Sequence, residues 1–461
     1  MIDIDTTLTP KDLSASLKEM WRLSAIKIRA LEDRWDADAG APVFTVEGKY
    51  SSRGWTEWTQ GFQFGAALLQ FDVTGDEEML TLGRDRTRDR MAPHVTHFGV
   101  HDHGFNNVST YGNLRRLMSE GKIPDNAWER EFYDMALKAS GAVQARRWTD
   151  LDGDLGYVYS FNGPHSLFVD TLRTLRAMAV AHLLGHRLSG EHDESVSLLA
   201  RMVRHIRATD KYIVFYGEGR DSYDEWGRTC HEAIFNLNDG QFRCPSTQQG
   251  YSAFSTWTRG QAWALTGSAE LLELFNEMDD ADFAETLPRA EVMAILERCA
   301  RATSDHYIEN TPTDGVCYWD TGAPGLANLP DHKTSPSDPF NDFEPIDSSA
   351  SAIAAQGLIR LGGYLDGKGD SEAATKYRQA GLTVLRRLLE EPYLSTDESH
   401  EGLLLHSIYH RPNGWDHIPA GHTVPHGESC MWGDYHLREA ALLVQRQADG
   451  QPPYRFFNGF L

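Results

Sequence analysis

Long apolar runs are missing from this sequence. Nothing approaches the 18 or so consecutive apolar residues that a membrane-spanning helix needs. Cysteine is scarce: Cys230, Cys244, Cys299, Cys317 and Cys430 are odd in number, scattered and without CxxC spacing. They fit a reducing compartment, with cytoplasm the simplest expectation. The first residues, MIDIDTTLTPKDLSASLKEMWRLS, carry acids early and have no apolar h-region, so a signal peptide is not expected there. Basic runs are absent too, and 44 Lys and Arg against 67 Asp and Glu leave a net charge of −23. Nucleic acid and anionic membranes are therefore poor partners, although an acidic substrate is not excluded, because local cations decide that.

What is present is aromatic and helical. Apolar residues make up 41% of the 461 positions, and the 12 Trp and 17 Tyr exceed what packing alone requires. Carbohydrate sites often use such rings as stacking surfaces. Helical periodicity predicts segments at 13–34, from Thr59 through GFQFGAALLQF, at 76–90, from the HDHGF loop (101–105) through Leu117, at 127–148, 166–184 and 192–208. Further helices are expected at 257–276, 287–304, 347–365, 370–391 and from Glu428 onward. Residues 48–58, 210–256 and 395–427 read as loops. The acidic turn TDLDGDLG lacks the closing Glu of a calcium loop and reads as solvated. Two kinds of helix alternate, one opening on a polar or aromatic cluster and then turning small and apolar, the other richer in charge. About six such pairs fit the length, and no βαβ pattern competes. The expectation is an all-α, (α/α)6 toroid occupying 1–461 as one catalytic domain, with an open solenoid the alternative.

Candidate chemistry lies at loop-to-helix junctions. In NGPHSLFVDTLRTL (162–175), Ser166 reads as an N-cap and Asp170 as a first-turn acid on a buried face. The helix dipole favours its carboxylate while apolar neighbours raise its pKa, which suits a proton donor and acceptor. Equally, it can be a plain capping residue. Asp102 is a second carboxylate, and paired carboxylates are the usual equipment of glycoside chemistry. His101, Asp102 and His103 are adjacent and cannot all face one ion, so no metal is expected. In QGYSAFSTWTRGQAW (249–263), Arg259 among aromatics suits a substrate carboxylate, and Trp257 and Trp263 offer ring faces or fill core. Asp347 reads as an ordinary helix cap. The histidines 406, 410, 417, 422 and 426 show no ligand pattern.

At these residues the chain resembles the unsaturated glucuronyl hydrolases, glycoside hydrolase family 88. The matching stretches are WTQGFQFG (58–65), HDHGF (101–105), FVDTLRTL (168–175), QGYSAFSTWTRGQAW (249–263), DSSASAIAAQGL (347–358) and GDYHLREAAL (433–442), in the family's order. The resemblance implies an (α/α)6 barrel without cofactor or metal, acting on acidic oligosaccharides that end in a 4,5-unsaturated uronic acid. It implies Asp170 as the general acid/base and Asp102 as the second carboxylate. Trp58, His101, Gln249, Trp257, Arg259 and Trp263 would then shape the substrate subsite. Around Asp170 the chain departs from the family's usual Met and Asn, carrying Thr171, Leu172, Arg173 and Thr174, with His165 upstream. Those departures motivate a second reading, an exo-β-glucuronidase on saturated glucuronides. A third is a non-catalytic toroid that binds acidic sugars.

Overall fold

The computed structural model describes residues 1–53 and 57–461. Part of the predicted 48–58 loop therefore lies outside the described residues; of the remainder, Lys49–Ser52 forms a strand paired with Pro42–Val46.

Among the described residues, six helical segments close an inner ring. In order round the ring these are Gln60–Thr74, the broken segment 103–119, the pair Thr171–Thr174 and Arg176–Leu183, Thr258–Glu277, Ser348–Gly367 and Met431–Ala448, which packs back on Gln60–Thr74. Outside them lie Ser14–Arg34, Glu77–Arg90, Ala127–Arg146, Leu198–Tyr212, Arg289–Asn310 and Ser371–Leu388, each packed on inner helices. The inner helices are buried almost all round, as DSSASAIAAQGL and its equivalents require, whereas the outer ones bury one face. This is the (α/α)6 toroid, and ring closure separates it from the open solenoid. No helix of the described residues is long and apolar enough to cross a membrane.

Close approach between inner helices depends on glycine. A Cβ on Gly61 would stand 2.3 Å from the Asn106 carbonyl oxygen, and one on Gly104 2.2 Å from that of Thr174. The Gly of WTQG and the Gly of HDHG thus set the spacing of three successive inner segments.

Several local expectations change. Ser166–Phe168 is a strand paired with Glu232–Phe235, which in turn pairs with Phe242–Ser246. Ser166 is therefore no N-cap, and Asp170 itself takes that position. TDLDGDLG is a hairpin, Trp148–Leu151 against Leu155–Val158. The helix expected at 192–208 begins at Leu198, where the Ser197 hydroxyl caps it. Short strands are thus confined to loops, which an amphipathic period cannot reveal.

A buried charge network joins the inner helices beneath the loop-bearing end. Asp72 pairs with Arg116 at 2.7 Å and Arg446 at 3.0 Å. Arg173 contacts Glu270 and lies 2.9 Å from Glu439, while Arg176 lies 3.1 Å from Glu270 and 3.4 Å from Glu439. Arg360 joins Glu273 at 2.6 Å. Every inner helix contributes at least one charge.

Glu439→Gln strips a carboxylate from between Arg173 and Arg176, leaving two buried cations on Glu270 alone, and should cost up to about 3–5 kcal/mol. Urea unfolding checks this as a lowered midpoint. For Asp72, burial pushes the carboxyl up, but Arg116, Arg446 and Lys122 outweigh it and bring it down from 3.8 to about 2. Its stabilisation is full above the unfolded value and is lost as pH falls toward 2. In Asp72→Asn, unfolding midpoints measured between pH 5 and 2 should lose that part of their acid dependence.

Candidate active site

The starts of the inner helices gather at one end of the ring, around a cavity of about 510 Å³. All eight residues singled out in the sequence line it: Trp58, His101, Asp102, Asp170, Gln249, Trp257, Arg259 and Trp263. The volume lies within the range of small-ligand sites.

The two carboxylates meet through one imidazole. His101 Nε2 lies 3.3 Å from Asp170 Oδ2 and 3.8 Å from Asp102 Oδ1. Asp170 makes no capping bond to its helix, and its Oδ1 is buried without a hydrogen-bond partner. The plain capping role therefore does not account for it. Position comes from the outer ring: Gln144 Nε2 donates to the His101 carbonyl at 2.9 Å and to Thr174 Oγ1 at 2.8 Å. Arg147 donates to the carbonyls of Phe98, Tyr159 and Ser160, tying the 97–102 loop to the neighbouring chain.

Burial and charge push these groups apart. Burial disfavours the His101 imidazolium, but Asp102 and Asp170 outweigh it, so His101 titrates above its usual 6.5. Burial raises Asp102, with His101 opposing and Asp170 adding. Burial also works to raise Asp170, yet the charge and hydrogen bond of His101, with His231, carry it below 3.8. One proton is thus held between two acids, with Asp170 the more readily ionised. The three groups also place ligand atoms within 4.8 Å of one another, close enough for one ion. His103 is not among them. It faces Ser140 and the His97 carbonyl.

Arg259 differs from the expectation of a free fork. Nη1 donates to Asp347 Oδ2 at 2.7 Å and to the Ile408 carbonyl, and Nη2 to Gln249 Oε1 at 2.9 Å and the Tyr409 carbonyl at 2.6 Å. The guanidinium lies between the Trp257 and Trp432 rings, 4.8 and 5.0 Å from their centroids. Its charge reaches the cavity while its terminal nitrogens organise the wall. Asp347, which read as a cap, does cap its helix at the Ser349 and Ala350 amides and also holds Arg259.

Sequence reasoning missed the contributors from 395–427. Tyr409, His410, Asn413 and Trp415 line the cavity, and Asp416 holds their turn by accepting from the Tyr409 and His410 amides at 2.5 and 3.0 Å. Only the aromatic density of SIYHRPNGW could have flagged them. His231 was also missed. Its Nδ1 accepts from the Gln248 and Gln249 amides at 2.9 and 3.1 Å, and its ring packs on Phe168 and Trp257. Burial brings it down to about 4, so it is neutral with its proton on Nε2.

The proton placement is open to measurement. In an NMR titration, His101 should titrate above 6.5, and Asp102→Asn should lower that value by removing a neighbouring negative charge. His103, brought by burial to about 3, should stay neutral throughout the accessible range.

No family model matches the chain. It is 28% identical over 445 residues to the unsaturated glucuronyl hydrolase of Bacillus sp. (strain GL1), covering 94% of this chain and 98% of that one. It is 27% identical over 406 residues to the unsaturated chondroitin disaccharide hydrolase of Streptococcus agalactiae serotype III (strain NEM316), covering 84% and 81%. Among solved structures, a UGL Asp→Asn variant with dGlcA-Glc-Rha-Glc superimposes with a TM-score of 0.70 at 22% identity, covering 94% and 97%. The Bacillus sp. GL1 unsaturated glucuronyl hydrolase gives 0.69 at 23% identity, covering 92% and 97%. Over most of its length, at 24–28% identity, the chain is homologous to the unsaturated glucuronyl hydrolases and unsaturated chondroitin disaccharide hydrolases.

Proposed function

We propose that this protein is a glycoside hydrolase that removes a 4,5-unsaturated uronic acid from the non-reducing end of oligosaccharides by hydrating its enol-ether double bond. The observation that carries this reading is the pair of carboxylates, Asp102 and Asp170, sharing one imidazole nitrogen of His101 in an aromatic cavity. The homologues act on unsaturated glucuronyl or chondroitin saccharides by name, and the solved relatives bind dGlcA-Glc-Rha-Glc and dGlcA-GalNAc6S.

The chemistry follows from the proton inventory. A uronate entering the cavity brings a negative charge and displaces water, and both raise Asp170. The proton shared with His101 then passes to Asp170, which delivers it to C4. Positive charge develops at C5 and the ring oxygen. The Asp170 carboxylate next takes a proton from water as that oxygen bonds to C5. The resulting hemiketal opens by breaking the bond from C5 to the ring oxygen. The hemiacetal left at C1 collapses and releases the aglycone sugar. Asp102 keeps His101 oriented and, until its proton passes to Asp170, charged. Gln249, its side-chain oxygen engaged by Arg259 and its backbone N–H by His231, offers its side-chain NH2 to the uronate. Half-buried Trp58 supplies a ring face, while Trp257 and Trp263, packed on Arg259 and His231 and on Phe105 and His436, are core that borders the cavity.

The alternative on saturated glucuronides loses its motive. Of the unusual residues after Asp170, Arg173 serves the buried charge network and Thr174 accepts from Gln144; His165 does not line the cavity. Asp102 and Asp170 also place carboxylate oxygens within 4.8 Å of each other at one imidazole, short of the roughly 6.5–9.5 Å that an inverting glycosidase keeps for its water. A silent binding toroid would not require such a poised pair. Five unpaired cysteines support a reducing, cytoplasmic setting.

A paired assay tests the proposal, using a 4,5-unsaturated uronyl disaccharide and a saturated β-glucuronide. Loss of the enol-ether ultraviolet absorbance on the first, with no glucuronate released from the second, is expected. Asp170→Asn should reduce turnover by about 10²–10⁴ while circular dichroism stays unchanged. Full activity in that variant would overturn the mechanism. The kcat/KM profile should fall as pH rises through the His101 value, because the transferable proton is then gone. Asp102→Asn should move that limb to lower pH.

A further inference from the structure

Outside the cavity, two loops distant in sequence meet at Asp342, His422 and His426. Each residue offers one ligand atom, and these atoms lie within 4.8 Å of one another. His422 Nδ1 stands 3.3 Å from Asp342 Oδ1, which matches the ligand-to-ligand edge of a tetrahedron with metal bonds of about 2.0–2.1 Å. The His422 and His426 ring centroids are 4.1 Å apart.

The surroundings hold this arrangement. Thr423 Oγ1 donates to the Asp342 carbonyl at 3.5 Å, and His406 Nδ1 donates to the His426 carbonyl at 2.7 Å. Phe340 packs edge-on against His426, 5.9 Å between centroids. A simple ion pair of His422 with Asp342 leaves one feature unexplained. His426 is only 9% exposed, and its Nε2 is buried without a hydrogen-bond partner. A buried imidazole with an unanswered ring nitrogen beside a second imidazole and a carboxylate is the donor set of a transition-metal site.

We propose that Asp342, His422 and His426 bind a divalent transition-metal ion of the zinc class, with water completing the open side. Two imidazoles select against calcium and magnesium, which take oxygen donors. None of the three residues lines the catalytic cavity, so the ion is structural. It clamps loop 395–427, which carries Tyr409, His410, Asn413 and Trp415, to loop 322–346. Occupancy thereby stiffens one wall of the substrate cavity without entering the reaction.

The full-length protein, stripped with a chelator and titrated with Co²⁺ and then Zn²⁺ alone, tests this. One equivalent of Co²⁺ should give a visible d–d band of tetrahedral intensity, displaced by Zn²⁺, and Zn²⁺ should raise the thermal midpoint. His422→Ala and His426→Ala should each weaken binding beyond the roughly 10–100-fold that loss of an outer-shell partner costs, and should abolish the thermal shift. His422 is partly exposed, so its variant reports even where the more buried His426→Ala fails to fold. Binding that survives in His422→Ala but disappears in His101→Ala would assign the ion to the cavity trio and overturn the proposal. So would the absence of saturable Co²⁺ binding at about 100 times the protein concentration. None of these readouts requires turnover, so failure here is distinguishable from failure of the proposed hydrolase activity.

Discussion

Everything at the loop-bearing end of this toroid depends on the charges buried beneath it. Six helices pack side by side with glycines at their contacts, and their interior cannot be filled by aliphatic side chains alone without losing register. Instead Asp72, Arg116, Arg173, Arg176, Glu270, Glu273, Arg360, Glu439 and Arg446 pair across the ring. Buried pairs of this kind contribute little net stability over apolar packing, but a wrong partner leaves a bare charge, so they select one arrangement of helices. Arg173 lies three residues beyond Asp170. The network therefore reaches almost directly under the Asp170 carboxylate.

The cavity is built from the same geometry used six times. Each inner helix begins at one end of the ring, where its loop and first turn carry the polar and aromatic clusters. Trp58, Asp102, Asp170, Trp257, Asp347 and Trp432 all stand at such starts. Backbone amides and helix dipoles there favour an anion, so the net charge of −23 does not count against the proposed uronate substrate. Arg259 adds a guanidinium held between Trp257 and Trp432, its charge paired with Asp347 and its other nitrogen bonded to Gln249. It works as a fixed dipole with Asp347 and as a support for Gln249.

The proton chemistry is equally a matter of placement. Two equally buried Asp side chains are driven in opposite directions because Asp170 bonds His101 and lies near His231, whereas Asp102 has chiefly the longer contact to His101 to set against burial. In the proposed mechanism that division gives one group the carboxylate role and keeps a proton close by for delivery.

The sequence by itself determined the helical pairing, because small apolar inner faces and charged outer faces alternate at helical period. It also marked the cavity residues that open inner helices, since Trp58, Asp102, Asp170 and Arg259 sit where polar clusters interrupt an apolar stripe. Only the tertiary structure decided ring closure, which is a contact between the first and last inner helices that no local period encodes. It likewise decided that Arg173 belongs to the charge network rather than to the site, that Arg259 answers to Asp347, and that 395–427 folds into the cavity. The short strands at 166–168 and 232–235 escaped the sequence because each is stabilised by its partner across the chain, not by its own pattern. Hydrogen bonds and ion pairs between distant residues carry no signature in the residues that separate them.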